Sequence, residues 1–260
     1  MRTLFPSGSL VNAYLHYKKG KVQWENQLDA AYGMLQSGKG KARKTDDKLD
    51  MTSKAGIDAG RNLFYTALVN FKSQFTKGYH YPDDSTVHSR FFAPGYLLLS
   101  LGLDYKPEEG ISVFLSPLTA KLTFVSDQAL ADAGAFGVEK AVYDTSGMMI
   151  SPGKSMRTEL GAFLKFEYKK KILENVLLHN KLEVFSNYLN HPENLDIFWD
   201  VLLSLRVNKF ISATLNTTLV YDHDIAIPVY RDIGGVMVQT GSGPRVQFKE
   251  TLGVGLAYSF

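Results

Sequence analysis

Val246-Gln247-Phe248-Lys249-Glu250-Thr251-Leu252-Gly253-Val254-Gly255-Leu256-Ala257-Tyr258-Ser259-Phe260 is the run on which the fold turns. Its even positions are Val246, Phe248, Glu250, Leu252, Val254, Leu256, Tyr258 and Phe260. Its odd positions are Gln247, Lys249, Thr251, Gly253, Gly255, Ala257 and Ser259. One face is apolar almost throughout and the other is small or polar. Strict period-two alternation means a β-strand between two unlike environments. A strand of this length, closing on an aromatic residue, fits a membrane strand with lipid on the apolar side and a polar lumen on the other. Glu250 is the one departure: either a bulge near Lys249-Glu250 turns it inward, which is the expectation, or it lies at headgroup height.

The same alternation recurs upstream. Ile211–Tyr221 sets Leu215 and Leu219 against Ser212, Thr214, Asn216 and Thr218, and Ile197–Val207 sets Trp199, Val201 and Leu203 against Asp200, Ser204 and Arg206. Val176–Tyr188, Met156–Tyr168, Leu97–Tyr105, Leu63–Phe75, Leu49–Ala59, Val22–Met34 and Val11–Tyr17 behave alike. Ile111–Phe124 alternates too, but its phase slips at Ser116-Pro117, where a bulge is expected because Pro cannot donate to a ladder. This gives about eleven strands, most long enough for a tilted membrane strand of roughly nine to eleven residues.

The connections are sorted. Short turns fall at Lys18-Lys19-Gly20, Gly60-Arg61-Asn62, Lys106–Gly110, Lys170–Asn175 and Asn208-Lys209. Longer loops fall at Ser37–Asp46, Gly78–Pro94, Asp127–Lys154, Asn190–Leu195 and Asp222–Arg245. Short and long connections in alternation are the mark of an up-and-down barrel with short periplasmic turns and long outer loops. The fold expected is therefore all-β: one antiparallel up-and-down transmembrane β-barrel domain over residues 1–260, with its carboxy-terminus periplasmic. Single-chain bacterial barrels have even strand numbers. An amino-terminal strand and a signal peptide are thus expected upstream, making twelve strands when intact.

Composition excludes several classes. The chain has 260 residues, 45% hydrophobic and 21% charged, with no run long enough for a membrane helix. Fourteen Tyr and 16 Phe suit aromatic girdles, and equally a soluble sandwich. Cysteine is absent, so disulfides and thiolate chemistry are excluded. The net charge of +3 is dispersed, with no basic stripe of the kind that marks a nucleic-acid partner.

Further blocks carry a resemblance. They are Tyr17-Lys18-Lys19-Gly20-Lys21 with Trp24-Glu25-Asn26, Arg43-Lys44-Thr45-Asp46-Asp47-Lys48, Leu115-Ser116-Pro117-Leu118-Thr119, Asp127 to Gly137, Phe185-Ser186-Asn187-Tyr188, and Gly243-Pro244-Arg245-Val246-Gln247-Phe248-Lys249-Glu250. In this order the chain resembles a Bacteroidota outer-membrane β-barrel family, domain of unknown function thirty-seventy-eight. The resemblance implies an outer-membrane location and a start further upstream. It implies no activity.

On the polar face the alternation gathers Glu25, Asp29, Lys48, Asp50, Lys54, Asp58, Lys72, Asp104, Arg157, Glu159, Lys165, Glu167, Lys181, Glu183, Asp200 and Arg206. Both signs are interspersed, which favours a mutually neutralising network filling a narrow interior. The alternative is a narrow channel for ions or small polar solutes. Asp127–Lys154 is expected to be either a partial plug or a surface loop ordered by its own packing. The loop acids Asp46-Asp47, Asp83-Asp84, Asp127 with Asp132, and Asp222-His223-Asp224 offer only a weak calcium pattern. His16, His80, His88, His179, His191 and His223 lack zinc spacing. Ser116-Pro117 is no nucleophile elbow, and the loop glycines Gly234-Gly235 and Gly241-Ser242-Gly243 form no phosphate loop. The expected function is non-enzymatic and structural or accessory, without cofactor or metal. Its expected partners are outer-membrane lipid, the barrel assembly machinery and other outer-membrane proteins.

Overall fold

A computed structural model describes residues 4–37, 41–79, 85–208, 210–225 and 227–256. In chain order the elements are β1 (Leu4–Lys19), β2 (Val22–Ser37), β3 (Arg43–Gly60), β4 (Leu63–Ser73), β5 (Gly78–Tyr79), β6 (Val87–Ser89), β7 (Gly95–Tyr105) and β8 (Ile111–Phe124). There follow α1 (Gln128–Asp132), a 3₁₀ turn (Ala135–Gly137), β9 (Val142–Tyr143), β10 (Met149–Ser151), β11 (Met156–Leu173) and β12 (Val176–Asn187). The chain continues through β13 (Leu195–Arg206), β14 (Ile211–Tyr221), β15 (Ile227–Ile233), β16 (Val236–Gly243) and β17 (Gln247–Leu256).

Eleven strands form one large antiparallel sheet in the order β1-β2-β3-β4-β7-β8-β11-β12-β13-β14-β17. Each corresponds to one alternating segment of the sequence, and neighbours follow one another along the chain. The remaining strands make three hairpins, β5–β6, β9–β10 and β15–β16, inside long connections. Gly241, Ser242 and Gly243 therefore belong to β16, not to a loop, and only Gly234-Gly235 forms a turn. As ordered, β1 and β17 are the terminal strands of the sheet, and no pairing joins them among the described residues. Of the residues singled out above, His80, Asp83-Asp84, Lys209 and Ala257–Phe260 lie outside the described residues.

Two compact units are distinguished by their internal packing. The first comprises Met1–Ile57, Thr66–Ser100 and Ala120–Glu159. Here β1 and β2 pair without interruption from Leu4↔Ser37 to Lys19↔Val22. Besides Leu68 and Ala31, buried on strands, the unit has an apolar cluster in its connections. Ala93, Val125, Ala131 and Val138 are buried together, with Leu130 and Phe136 packed against them. A row of rings, Phe71, Phe92 and Phe124, extends it, with centroids 5.4 and 5.7 Å apart. Asp127 caps α1 by accepting from the Leu130 amide at 3.1 Å. Gly153 is required where it stands, because a Cβ there would overlap the Ala131 carbonyl. The 127–154 segment thus packs Ala131 and Val138 against Ala93 and Val125, which lie outside it, so its core is shared with the preceding connection.

The second unit comprises Asp58–Tyr65, Leu101–Thr119 and Leu160–Phe260. Arg61 and Asn62 both have positive φ, 55° and 62°, which gives the tight turn after Gly60 the twist that antiparallel strands need. In β8 the buried positions are Phe114 and Ser116 before the slip and Thr119 and Thr123 after it, with Pro117 and Leu118 both exposed between. The expected phase slip is present. The Ser116 hydroxyl fills the interruption by donating toward the Leu101 and Leu118 carbonyls at 2.8 and 2.9 Å. In β17 the expected bulge is absent. Pairing with β14 is unbroken from Ile211↔Leu256 to Val220↔Gln247, so Glu250 stands opposite Thr217 on the face of Phe248 and Leu252.

Candidate functional site

Alternation gives each long strand two faces, and the polar face is the one withdrawn from solvent. In the first unit Asp50 and Lys54 are buried on β3, with Gln23 on β2 and Asn70 and Thr66 on β4. In the second unit Asp104, Lys165, Lys181 and Glu183 are buried. Glu159, at the end of the first unit, is 1% exposed, while Leu101 is 57%, Leu115 55% and Leu252 73% exposed. The buried strand face is mostly polar or charged, with Leu68, Phe114, Phe163 and Phe185 among its buried side chains, while many large aliphatic side chains of the opposite face are exposed.

Buried charges persist only when paired or hydrogen-bonded, and here they are. Glu25 stands directly opposite Lys54, with Oε2 3.7 Å from Nζ. Asp29 stands opposite Asp50, a like-charge pair that is unfavourable by itself. Neutral amides resolve it: Asn12 Nδ2 and Gln27 Nε2 donate to Asp29 at 2.7 and 2.8 Å, and Asn70 Nδ2 donates to Asp50 at 2.6 Å. Glu159 accepts from Arg157 at 2.7 Å and faces Lys121 Nζ at 3.5 Å. Lys121 is a member of this network that was not among the residues assigned to the polar face, although the phase slip expected in β8 puts it there with Thr119 and Thr123.

The second unit carries a checkerboard. Lys165 is opposite Glu183, Glu167 opposite Lys181, and Lys181 opposite Asp200 on the next strand. Along the strands Lys165 lies 3.2 Å from Glu167, and Lys181 3.2 Å from Glu183. His179 Nε2 is 3.7 Å from Glu167, Lys181 lies over the Phe198 ring, and Asp200 accepts from the Thr218 hydroxyl at 2.6 Å. Asp104 accepts from Ser112 at 2.6 Å and faces Lys106 at 3.4 Å.

Not every residue assigned to the polar face lies in this buried array. Lys48 and Lys72 are half-buried, Arg206 is exposed at the end of β13, and Asp58 is exposed, accepting from the Gly60 amide in a turn. Of the acids expected in loops, Asp46 and Asp47 fall within β3 instead, and the acids make local ties. Asp47 accepts from Lys44 Nζ and from the Phe75 and Thr76 amides, at 2.7, 2.7 and 3.0 Å. Asp132 accepts from Gln128 and Gly153, and Asp127 pairs with Arg90 at 2.9 Å. No group of three or more His, Asp or Glu among the described residues could hold a metal ion.

Two loop carboxylates are held below the usual carboxylate range. For Asp144 the cause is first the Ser146 hydroxyl and then the Met148 amide. For Glu193 it is first its own backbone amide and then His191, whose Nδ1 is 3.1 Å away.

The molecule is thus an all-β protein built on a large antiparallel sheet whose polar face is buried and charge-paired. Residues 6–79 match the model of a family described as protein of unknown function (DUF3078), so the family likeness read from the sequence holds over that segment. Comparison with curated proteins and with solved structures gives no match.

Proposed function

We propose that this chain is an integral β-barrel protein of the bacterial outer membrane, of Bacteroidota type. On this reading it is non-enzymatic, with a structural or accessory role and an interior largely filled by paired charges. The observation that carries the reading is the inversion of the long strands. Leaving a Leu in water forgoes roughly 1.5–3 kcal/mol of burial, and Leu101, Leu103, Leu115, Leu118, Leu252 and Val254 are all exposed on one strand face or another. Lipid removes that penalty, whereas water does not. The exposed Tyr17 and Trp24, paired across β1 and β2 beside one short turn, and Tyr65 and Tyr105, beside two others, supply interfacial aromatics. No helix among the described residues is long and apolar enough to cross a membrane, and this does not bear on strands.

A filled interior is favoured over an open channel because Lys54, Glu159, Lys165, Lys181 and Glu183 each have an oppositely charged neighbour within 4 Å. A pore lining of one sign would select ions; a neutral mosaic closes on itself. With lipid as the solvent of the apolar face, the barrel assembly machinery and outer-membrane proteins are the expected partners, and the carboxy-terminus is periplasmic.

The test is refolding into detergent or lipid, followed by electrophoresis with and without boiling. A heat-dependent change in mobility supports the barrel. Recovery of a detergent-free soluble monomer with native β-structure refutes it. Planar-bilayer recording then separates a filled interior, which gives no conductance steps, from the narrow channel, which gives them.

A further inference from the structure

We infer that the tip of the β1–β2 hairpin binds anionic phospholipid, with Lys18, Lys19 and Lys21 on the headgroup phosphates and the neighbouring aromatic rings in the layer beneath. The inference rests on the barrel reading, and its test separates the two.

Three of the four residues from Lys18 to Lys21 are lysine, and all three are exposed. The turn holds them together. β1 and β2 pair up to Lys19↔Val22, which leaves Gly20 and Lys21 as a two-residue connection. Gly20 takes a positive φ of 58°, which such a turn asks of its first residue. With consecutive Cα atoms ~3.8 Å apart, no two of the three lysines have Cα atoms further apart than about 11 Å. Among the described residues no carboxylate lies within 4 Å of any of the three ammonium groups. The acids next along β2 and β3 are engaged elsewhere. Glu25 faces Lys54 at 3.7 Å, and Asp58 accepts from the Gly60 amide at 2.7 Å in its own turn. Asp58 keeps its charge, one against three.

The exposed face of the same hairpin is layered behind the lysines. Tyr17 and Trp24 stand directly opposite each other, with Val22 and Ile57 paired beside them, and all four are exposed. The Trp24 indole donates to the Ser53 hydroxyl at 2.8 Å, which fixes the ring on this face. Leu15 and Val11 continue the face inward, and both are exposed. Cation, aromatic ring and aliphatic chain come in the order in which a lipid leaflet presents phosphate, interface and hydrocarbon. A free phosphate would use the lysines alone. A ligand that also carries an acyl chain accounts for the rings and the aliphatic face behind them. Near an anionic surface each lysine adds roughly fivefold to association.

The full chain, refolded into vesicles of mixed phosphatidylcholine and phosphatidylglycerol, reports through its two tryptophans. Trp199→Phe leaves Trp24 as the reporter. Trp24→Phe leaves Trp199, whose cross-strand partners Leu182 and Leu219 are uncharged. Each lipid in turn is supplied with bromine near the headgroup end of one acyl chain, and the quenching it causes gives its local excess at the ring. At Trp24 brominated phosphatidylglycerol should be enriched roughly fivefold over brominated phosphatidylcholine, and at Trp199 the ratio should be near one. The preference at Trp24 should disappear in Lys18→Gln/Lys19→Gln/Lys21→Gln and shrink with added sodium chloride. Equal quenching of Trp24 by the two lipids overturns the inference and leaves the barrel standing. A preference that survives the triple substitution overturns it too, since the lysines would not be its source. If inorganic phosphate abolishes the preference at an ionic strength where chloride does not, the turn holds a free anion and the lipid assignment fails. Quenching of neither tryptophan by either lipid removes the barrel, and the inference with it.

Discussion

Placing an arginine at successive points along the exposed face of β7 measures whether that face meets lipid or water. Leu101, Leu103 and Tyr105 alternate with the buried Asp104, and all three are exposed. From Leu101 to Tyr105 is about 13 Å along a strand rising ~3.3 Å per residue. At a tilt of ~40° that is about 10 Å along the membrane normal. An apolar band about 25 Å tall, with Tyr105 at its edge, puts Leu101 near the middle. Leu101→Arg should then cost roughly 2–4 kcal/mol and Tyr105→Arg roughly 0–1 kcal/mol, with Leu103→Arg between them. The first figure moves the folded-to-unfolded ratio by about 1.5 to 3 orders of magnitude. In water the expectation is different, because a side chain already exposed makes few contacts to lose, and such substitutions stay within about 0.5 kcal/mol. Reversible denaturant unfolding in phosphatidylcholine vesicles, followed by the fluorescence of Trp24 and Trp199, gives the three values. A cost below about 0.5 kcal/mol at Leu101, or equal costs at Leu101 and Tyr105, would refute the lipid assignment.

Sidedness is tested on whole cells: Ser146→Cys, exposed at the tip of the β9–β10 hairpin, should react with an impermeant thiol reagent. Cysteine at Asn62 or Asn208, in the short turns, should not; the reverse pattern would invert the topology and equal labelling would abolish it. Glu159→Gln leaves Arg157 and Lys121 without their carboxylate in a site that is 1% exposed, and should cost about 3–5 kcal/mol in the same unfolding assay. A loss under 1 kcal/mol would mean, by the weak worth of wet ion pairs, that roughly bulk-like water reaches the site. Asp144 accepts from the Ser146 hydroxyl and amide at 2.6 and 2.9 Å and from the Met148 amide at 2.8 Å, and its pKa is lowered. Its contribution to the turn is therefore full above the ordinary carboxylate range and is lost as pH falls through the lowered value. Amide protection factors at Ser146 and Met148 should drop only there, and drop no further in Asp144→Asn; pH-independent protection refutes the tie.

Much of this architecture is written in residue phase. One polar or charged residue every second position fixes which face each strand turns inward, so Lys54, Glu159, Lys165 and Glu183 could be placed on the buried face before any pairing was known. What phase does not contain is register. The opposition of Asp29 and Asp50, and its relief by Asn12 and Asn70, depends on three strands lying in particular alignment. The sequence shows two acids and two amides with nothing to join them. Lys121 was legible and overlooked: the slip expected at Ser116-Pro117, carried on along β8, puts it on the face of Thr119 and Thr123. The loop core is harder still. Ala131 and Val138 are weakly apolar and far in sequence from Ala93, and only the folded connections bring them together.

Glu250 shows where a local rule gives way to position along the strand. A carboxylate on an apolar face suggested a bulge, yet the ladder between β14 and β17 runs through it unshifted. Its place in the strand supplies the alternative. β17 begins at Gln247, after the long connection, so Glu250 lies only three residues in, about 10 Å along the strand. With a tilt of ~40°, that is about 8 Å along the normal from the first paired residue. Its partner Thr217 is itself polar, whereas Leu252 and Val254, further in, face Leu215 and Ala213. On the membrane reading this puts the acid toward headgroup depth, where a charged side chain costs little and an acidic one less than a basic one. Along the exposed face of β17 an aromatic residue, Phe248, and Glu250 come first after the long connection and the aliphatic Leu252 and Val254 follow; on the membrane reading, aromatic and acid take the interface and the aliphatics the hydrocarbon. The same residue in a soluble sheet would leave Leu252 and Val254 unexplained.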